Sequence, residues 1–299
     1  MYRAGMSGDY NPVQSPFLVP FDGHYDINSA STRPPEDAPG KKDNQEALER
    51  AVGKLAKLQQ RLYADNRFSV LLVFQAMDAA GKDGTLRAVM SGVNPAGCRV
   101  SPFKAPSADE LEHDFLWRHA KELPPRGTIG IWNRSHYEEV LAVRVNPKFL
   151  EGQHLPHVTD DLDALWRDRF QSIRDFEQHQ ASNGAVIIKF FLNVSKDEQR
   201  DRLLARIDEA DSNWKFSASD LTERGKWPQY MQAYGAAMAA TSRPWAPWYA
   251  IPADAKAFMR RTVAEILVET LQRLPLRFPP VSADELAEMK RLRAQLADE

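Results

Sequence analysis

Residues 70–85, VLLVFQAMDAAGKDGT, decide the fold class of this chain. The segment 70–74 is apolar at every position, which is typical of a strand buried on both faces of a parallel sheet. The loop 76–85 follows the strand, and within it Gly81 precedes Lys82. A strand that runs into a Gly-Lys turn and then a helix presents backbone N–H groups and a lysine ammonium to an anion. The segment therefore predicts a phosphate-binding loop, the alternative being an incidental Gly-Lys turn on the surface.

Strands and helices alternate on both sides of this loop. Apolar residues recur at helical spacing over 48–62, where Asp43 and Glu46 predict a capping box and the helix is expected to end near 65–66. Further strands are predicted at 99–103, 128–132, 185–192 and 248–251, and helices at 86–90, 107–123, 135–144, 160–181, after Ser195, and at 256–274. The alternation indicates parallel βαβ units. The predicted class is α/β, with a parallel sheet covered by helices on both faces.

The same patterns divide the chain into three parts. Residues 1–40 are rich in Pro, Gly, Ser and Asp, which predicts an extended arm that lies on the body or is partly disordered. Residues 41–275 form the predicted main domain. A polar and aromatic stretch at about 206–227 interrupts its alternation of strands and helices, which predicts a mobile lid. Residues 276–299 are expected to form an amphipathic tail helix, either solvated or in contact with another subunit.

Composition excludes several classes of protein. Hydrophobic residues make up 43% and charged residues 27%, as in ordinary globular enzymes. A net charge of -2 argues against nucleic-acid binding through bulk positive charge. The single cysteine, Cys98, excludes an intramolecular disulfide and a cysteine zinc cluster, which favours a reducing compartment. We find neither an apolar run of roughly 18 to 20 residues nor a signal-peptide stretch at the start, so a cytoplasmic protein without membrane contact is expected.

The loop departs from the usual pattern G-x-x-x-x-G-K-[ST], since Ala76 replaces the first glycine and Asp83 the hydroxyl residue. A carboxylate at Asp78 repels a bound anion unless a cation lies between them. Asp78 is therefore a candidate ligand of Mg²⁺ or of its water, the alternative being a residue that only hydrogen-bonds the loop. We expect Asp83 to cap a helix that begins at Gly84, and Thr85 to offer the missing hydroxyl.

A second group of polar residues, in GIWNRSHYEE at 130–139, follows the strand predicted at 128–132. Ligands of open α/β sheets bind at the carboxyl ends of strands. Asn133 stands where an acidic metal ligand is usual and can coordinate or hydrogen-bond hydration water, while the fork of Arg134 can clamp phosphate oxygens. The alternative is a helix cap at Asn133 with a surface arginine. The histidines do not share a ligand spacing, which argues against a transition-metal site.

Five ordered motifs resemble the family-2 polyphosphate kinases over roughly residues 40–260. They are MDAAGKDGT at 77–85, FKAP at 103–106, HDFLWR at 113–118, NRSHYE at 133–138 and NWKFS at 213–217. Asn133 and the sequence GKDG at 81–84 are similar to the subgroup of that family that phosphorylates both AMP and ADP.

The resemblance implies a P-loop kinase-like fold with a helical lid that begins after Arg206. It implies Mg²⁺-assisted transfer of the terminal phosphoryl group of inorganic polyphosphate to AMP or ADP, giving ADP and ATP, directly between the substrates and reversibly in principle. It also suggests a homo-oligomer such as a tetramer. Two alternatives remain at this point: an ATP-dependent nucleoside or nucleoside-monophosphate kinase, and a nucleotide- or phosphate-sensing module without turnover.

Phosphoryl transfer depends chiefly on positioning and on cations, and this determines the candidate residues. Arg202 and Arg206 lie at i and i+4 before the lid and are expected to share a helix face, although a solvated charged face is the alternative. The candidate catalytic residues are Asp78, Lys82, Asn133, Arg134, Arg202 and Arg206. The candidate phosphate- and substrate-binding residues are Ala79, Ala80, Gly81, Asp83, Gly84, Thr85, Lys104, Arg118, Glu138 and Lys215.

Overall fold

The computed structural model describes residues 11–156 and 161–298. Its centre is a five-stranded sheet in the order β2-β3-β1-β4-β5, in which every neighbouring pair is parallel. The strands are β1 Ser69–Gln75, β2 Cys98–Pro102, β3 Ile129–Asn133, β4 Ala185–Asn193 and β5 Trp248–Pro252. All five strands predicted from the sequence are confirmed. Strand β1 lies between β3 and β4, and all of its residues are buried, which explains its unbroken apolar run.

Helices connect the strands and cover the sheet on both faces. They are α1 Lys41–Asp65, α2 Lys82–Val89, α3 Ala108–Leu111, α4 Trp117–Ala120, α5 Ala142–Val145, α6 Leu162–Ser182, α7 Lys196–Asp208, α8 Ala218–Gly225, α9 Trp227–Thr241, α10 Lys256–Arg273 and α11 Ala283–Ala297. Helices α1, α2 and α10 pack together as one group, and α5, α6 and α9 as another. The α/β class is thus confirmed. Among the described residues, no helix combines the length and the apolar character that crossing a membrane would require.

Several helix predictions need correction. Helix α1 begins at Lys41 after Gly40 without a side-chain cap, so the capping box of Asp43 and Glu46 is wrong. The single helix expected at 107–123 is two short helices, because the Asp114 carboxylate accepts from the backbone N–H of Leu116 and forms a turn between them. The segment 135–144 is a 3-10 helix, His136–Val140, followed by α5.

The described part of the arm, residues 11–40, lies on the body. Leu18 forms an antiparallel bridge with Tyr249, and the N–H of Val19 donates to the carbonyl of Trp248. The arm thereby covers the free edge of β5, with Val13 and Val19 buried. Residues 1–10, residue 160 of the predicted helix 160–181 and residue 299 of the tail lie outside the described residues. The division into arm, main domain and tail stays a prediction.

Candidate active site

The loop after β1 turns sharply into α2. Helix α2 begins at Lys82, and Gly81 precedes it with φ of 104°, in the left-handed region that favours glycine. A Cβ at this position would lie 3.3 Å from Met259 Cε, so a larger residue would require the end of the Met259 side chain to shift in addition to straining the backbone. The first turn of α2 directs its free N–H groups at whatever binds the loop. Asp83 lies within that turn, so the expectation that it caps a helix beginning at Gly84 is wrong.

A cavity of about 730 Å³ opens over this loop. Because the strands are parallel, their carboxyl ends share one edge of the sheet, and segments that follow β1, β3, β4 and β5 meet there. The predicted residues that line the cavity are Asp78, Ala79, Ala80, Gly81, Lys82, Asp83, Gly84, Asn133, Arg134, Arg202, Arg206 and Lys215. The structure thus brings most of the candidate set together.

Two carboxylates of the loop have partners from the segment after β3. Asp78 Oδ1 accepts from Arg134 Nη2 at 3.0 Å, and Asp83 Oδ1 accepts from Asn133 Nδ2 at 2.7 Å. The side chain of Ser135 caps the following 3-10 helix, so the alternative that gave this role to Asn133 is excluded. These two pairs fix the loop 76–85 against the end of β3.

Arg134 occupies an unusual backbone position. Its φ is 64°, and its N–H donates to the carbonyl of Phe74 at 3.2 Å. A left-handed conformation costs a non-glycine residue roughly 1–2 kcal/mol. Such strain persists only where the surroundings impose it, which is common at functional sites. Glu138, together with Asp78, raises the pKa of Arg134 against the opposing effect of burial.

Lys82 lies over the start of the loop. Its Nζ donates to the carbonyl of Ala76 at 2.9 Å. Burial lowers the pKa of Lys82, whereas the nearby Asp78 and Glu138 act to raise it. Glu138 is half-buried beside Lys82 and Arg134 and is not among the residues that line the cavity. Burial raises the pKa of Glu138 against the opposing effect of these two cations. Because Glu138 does not line the cavity, its predicted contact with substrate is not supported.

Arg202 does not have the role that the sequence predicts for it. Its Nε donates to Glu198 Oε1 at 2.7 Å, and its Nη1 donates to the carbonyls of Ala79 and Ala80 at 3.2 and 2.7 Å. Its Nη2 donates to the carbonyls of Ala253 and Asp254 at 2.6 and 3.2 Å. The five N–H donors of a guanidinium are thereby all engaged with protein acceptors. Arg202 holds the phosphate-binding loop to the end of β5, and no donor is left for a phosphate.

Arg206 and Lys215 are more available. Arg206 Nη1 lies 3.6 Å from Asp220 Oδ2 of α8. Lys215 is exposed beside the ring of Trp214. The side chain of Asn213, in the motif NWKFS, donates to the carbonyl of Arg206 at 2.9 Å at the end of α7. The lid predicted at about 206–227 therefore contains a 3-10 turn, Asn213–Lys215, and helix α8, and it contributes to the cavity wall.

A chain of hydrogen bonds connects the lid to the phosphate-binding loop. Gln199 is buried on α7, and its Nε2 donates to the carbonyl of Asp78 at 2.9 Å. Its Oε1 accepts from Arg224 Nη1 of α8 at 2.8 Å, and Arg224 also donates to the carbonyl of Lys196. Gln199 thus connects α8 to the loop through one side chain. The sequence gives no sign of this, because an isolated glutamine on a charged helix has no distinctive pattern.

Besides Glu138, three predicted residues do not line the cavity. The hydroxyl of Thr85 is buried and donates to the carbonyl of Gly81 at 3.0 Å, so it does not supply the hydroxyl expected for the metal. Arg118 is buried against Phe103 and donates to the carbonyl of Lys104 at 3.0 Å, where it lines a second cavity of about 350 Å³. Lys104 is exposed and is not among the residues that line the main cavity. Direct contact of these side chains with a phosphate in the main cavity is therefore not supported.

Two cations of the site were not predicted. Lys256 and Arg260 line the cavity from the first turns of α10, which follows β5. Burial lowers the pKa of both, and the proximity of Arg202 adds to this effect. Their i and i+4 spacing after a predicted strand is the same signal that identified Arg202 and Arg206. This spacing at the carboxyl end of a strand is therefore a sequence signal for both residues.

A buried polar network supports the segment 133–138 from behind. Lys189 Nζ on β4 donates to Glu177 Oε2 at 2.6 Å, to Tyr137 Oη at 2.8 Å and to the carbonyl of Thr241 at 2.9 Å. Burial lowers the pKa of Lys189 to about 8. Burial opposes ionisation of Glu177, but Lys189 and His136 outweigh it, so the pKa of Glu177 lies below its usual range. The network fixes Tyr137 and, through it, the backbone that carries Arg134.

The oxygen donors of the cavity suit Mg²⁺. Asp78, Asp83 and Asn133 offer carboxylate and amide oxygens, the ligands that this hard cation prefers. Among the described residues, no group of three or more His, Cys, Asp or Glu could hold a metal ion alone. Mg²⁺ in phosphoryl-transfer sites typically uses one or two carboxylates and takes its other ligands from water and substrate phosphates. The donor set therefore fits an ion that binds together with a phosphate.

Comparison with known proteins agrees with this geometry. The family model for Polyphosphate kinase 2 (PPK2) matches residues 39–277. The ADP-polyphosphate phosphotransferase of Rhodopseudomonas palustris is 52% identical over 251 residues, which are 84% of this chain and 87% of that protein. The AMP/ADP-polyphosphate phosphotransferase of Meiothermus ruber is 47% identical over 247 residues, covering 82% and 88%. The crystal structure of Polyphosphate Kinase 2 from Arthrobacter aurescens aligns with a TM-score of 0.83 and 36% identity, over 92% of this chain and 93% of that one.

Proposed function

The chain belongs to the polyphosphate kinase 2 family, and from this premise we propose that it transfers the terminal phosphoryl group of inorganic polyphosphate to ADP and AMP. The products are ATP and ADP. The observation that carries the proposal is the meeting of Lys82, Arg134, Arg206, Lys256 and Arg260 in one cavity over the N-terminus of α2. These cations come from separate elements of the fold, which suits a polyanionic donor.

Both AMP and ADP are proposed as acceptors. Two similar proteins carry the names ADP-polyphosphate phosphotransferase and AMP/ADP-polyphosphate phosphotransferase. Asn133 supports the broader acceptor range, because an asparagine at this position resembles the subgroup of the family that phosphorylates both AMP and ADP.

Catalysis is assigned to positioned cations, with no covalent enzyme intermediate. The transferred phosphoryl group passes through a loose transition state in which charge spreads over its oxygens. Lys82 and the free N–H groups of α2 bind these oxygens, and Arg134 contributes a planar pair of donors. Arg206 adds a further positive charge from the end of α7. Bound Mg²⁺ would neutralise phosphate charge, and Asp78, Asp83 and Asn133 are the residues that would hold it.

The positions of reactants are set by residues that do not touch them. Arg202 and Gln199 keep the backbone of 78–80 in place, and Arg134 depends on the network of Lys189 behind it. Direct transfer requires the attacking and leaving oxygens to be nearly in line, so small displacements of the loop reduce the rate strongly. We also propose a cytoplasmic location, which agrees with the single cysteine and with adenine nucleotides as substrates.

The test is to incubate the protein with Mg²⁺, long-chain polyphosphate and ADP, without any other nucleotide, and to measure ATP. We expect ATP to form only when polyphosphate is present. ATP that formed without polyphosphate would instead come from disproportionation of ADP into ATP and AMP. With AMP as the sole acceptor, ADP should appear first and ATP later. Absence of ATP from ADP, or phosphorylation of AMP by ATP but not by polyphosphate, would contradict the proposal.

A further inference from the structure

Helix α11 is the last helix of the described part of the chain. It covers Ala283–Ala297, beyond the residues 39–277 that match the family model. The side chain of Ser282 accepts from the N–H of Glu285, and the Glu285 carboxylate accepts from the N–H of Ser282, so a full capping box sets the start of the helix. Every residue from 281 to 298 is exposed. A helix of this length without packing is marginal in water, and burial of an apolar face would stabilise it.

The helix has such a face. Leu286, Met289, Leu292 and Leu296 are 48%, 55%, 43% and 70% exposed. At 3.6 residues per turn these four side chains lie within a stripe about 120° wide. Four large apolar side chains on one stripe of an exposed helix indicate a contact surface. The remaining question is which partner covers it.

The charges of α11 are complementary to those of a second copy of the same helix in antiparallel orientation. The acidic residues Asp284, Glu285 and Glu288 lie in its first half, and the basic residues Lys290, Arg291 and Arg293 in its second half. Two such helices in antiparallel orientation place the acidic half of each beside the basic half of the other. In parallel orientation, like charges would face each other.

The positions of individual residues agree with a twofold axis at Met289. Glu285 and Arg293 lie one turn to either side of Met289 and within the apolar stripe, as do Leu286 and Leu292 at three residues. An antiparallel pair centred there sets Glu285 opposite Arg293 of the second copy and Leu286 opposite Leu292. This is the self-complementary surface that a twofold dimer requires. We propose that α11 pairs antiparallel with α11 of a second subunit.

Cysteine cross-linking tests the contact in the full-length chain. The variant Met289→Cys places a thiol on the axis, and mild oxidation should convert most of it into a disulfide-linked dimer. The matched control is Ala287→Cys, on the opposite side of the same helix, which should remain monomeric on a non-reducing gel. The wild-type chain measures the background from Cys98. A Met289→Cys variant that does not cross-link, or an Ala287→Cys control that cross-links equally, would overturn the proposal.

Charge reversal tests the antiparallel orientation with the same readout. In the Met289→Cys background, Glu285→Arg and Arg293→Glu should each lower the rate of cross-linking about tenfold or more, because like charges then face each other. An equal mixture of the two variants should recover the rate, since each copy then meets the opposite charge twice. Recovery excludes local damage to the helix as the cause. A mixture as slow as its components would contradict the antiparallel pair.

Discussion

Replacement of Arg202 by lysine tests the assignment of this residue as the support of the phosphate-binding loop. Lysine keeps the positive charge but offers three donors in place of five. At least two of the acceptors, which include the carbonyls of Ala79, Ala80 and Ala253, then lose their partner. A buried acceptor without a donor costs about 1–3 kcal/mol, so the free energy of unfolding should fall by about 2–6 kcal/mol. Displacement of the loop should lower kcat by roughly 100-fold.

The assay combines urea unfolding of the protein without substrate and initial rates of ATP formation from polyphosphate and ADP. The matched control is Arg200→Lys, on the same helix, where an exposed arginine contacts Asp197 and Asp201. It should change stability by less than about 0.5 kcal/mol and leave the rate unaltered. If Arg202→Lys kept the wild-type stability and raised only the KM for polyphosphate, Arg202 would bind phosphate directly, and the reasoning would be refuted.

Three further predictions concern the lid, the buried network and the donor. Gln199→Leu removes the bridge between the Asp78 carbonyl and Arg224. We expect kcat to fall roughly tenfold and proteolysis within 208–225 to accelerate. An unchanged kcat would argue against coupling between α8 and the loop that carries Asp78. Glu177→Gln leaves Lys189 without its carboxylate partner and should destabilise the protein by about 3–5 kcal/mol at pH 7. Because the pKa of Glu177 is lowered, its contribution is present above the usual pKa of a glutamate and is lost as pH falls through the folded value, so the difference in urea unfolding between the two proteins should shrink as pH falls below that usual pKa. A constant difference would contradict this assignment. The apparent affinity for polyphosphate should decrease steeply with added salt in a titration of initial rates, and a flat response would exclude a clustered-cation site.

The sequence predicts the sheet well because strands that are buried on both faces are apolar at nearly every position. Strands β1 and β4 are apolar over most of their lengths, and their neighbours follow at the intervals of βαβ units. The loop 76–85 is equally distinctive, since a strand, a Gly-Lys turn and a helix must be contiguous. These features depend on local sequence, and the structure confirms them.

The sequence predicts side-chain partners less well because they come from distant parts of the chain. Arg202 and Arg206 lie on the same helix and carry the same charge. All donors of Arg202 are engaged by Glu198 and by backbone carbonyls, whereas Arg206 lies in the cavity beside Asp220. Asp83 was expected to cap a helix locally, whereas its partner Asn133 lies fifty residues away in sequence. Helix α9 is not among the helices predicted from the sequence. It is rich in alanine and in buried residues, so it lacks the amphipathic period of a surface helix.

The most direct test of the account is the effect of Lys82→Met on ATP formation from polyphosphate and ADP with Mg²⁺. The wild-type protein should form ATP, and the variant should lose about 100- to 1000-fold in kcat/KM, because the ammonium that binds the transferred phosphoryl group is gone. Lys57→Met, on the exposed face of α1, is the matched control and should keep the wild-type rate. Thermal unfolding of all three proteins establishes that the fold is intact. A wild-type protein that forms no ATP, or a folded Lys82→Met variant that forms it at the wild-type rate, would contradict the assignment of the loop as the site of transfer.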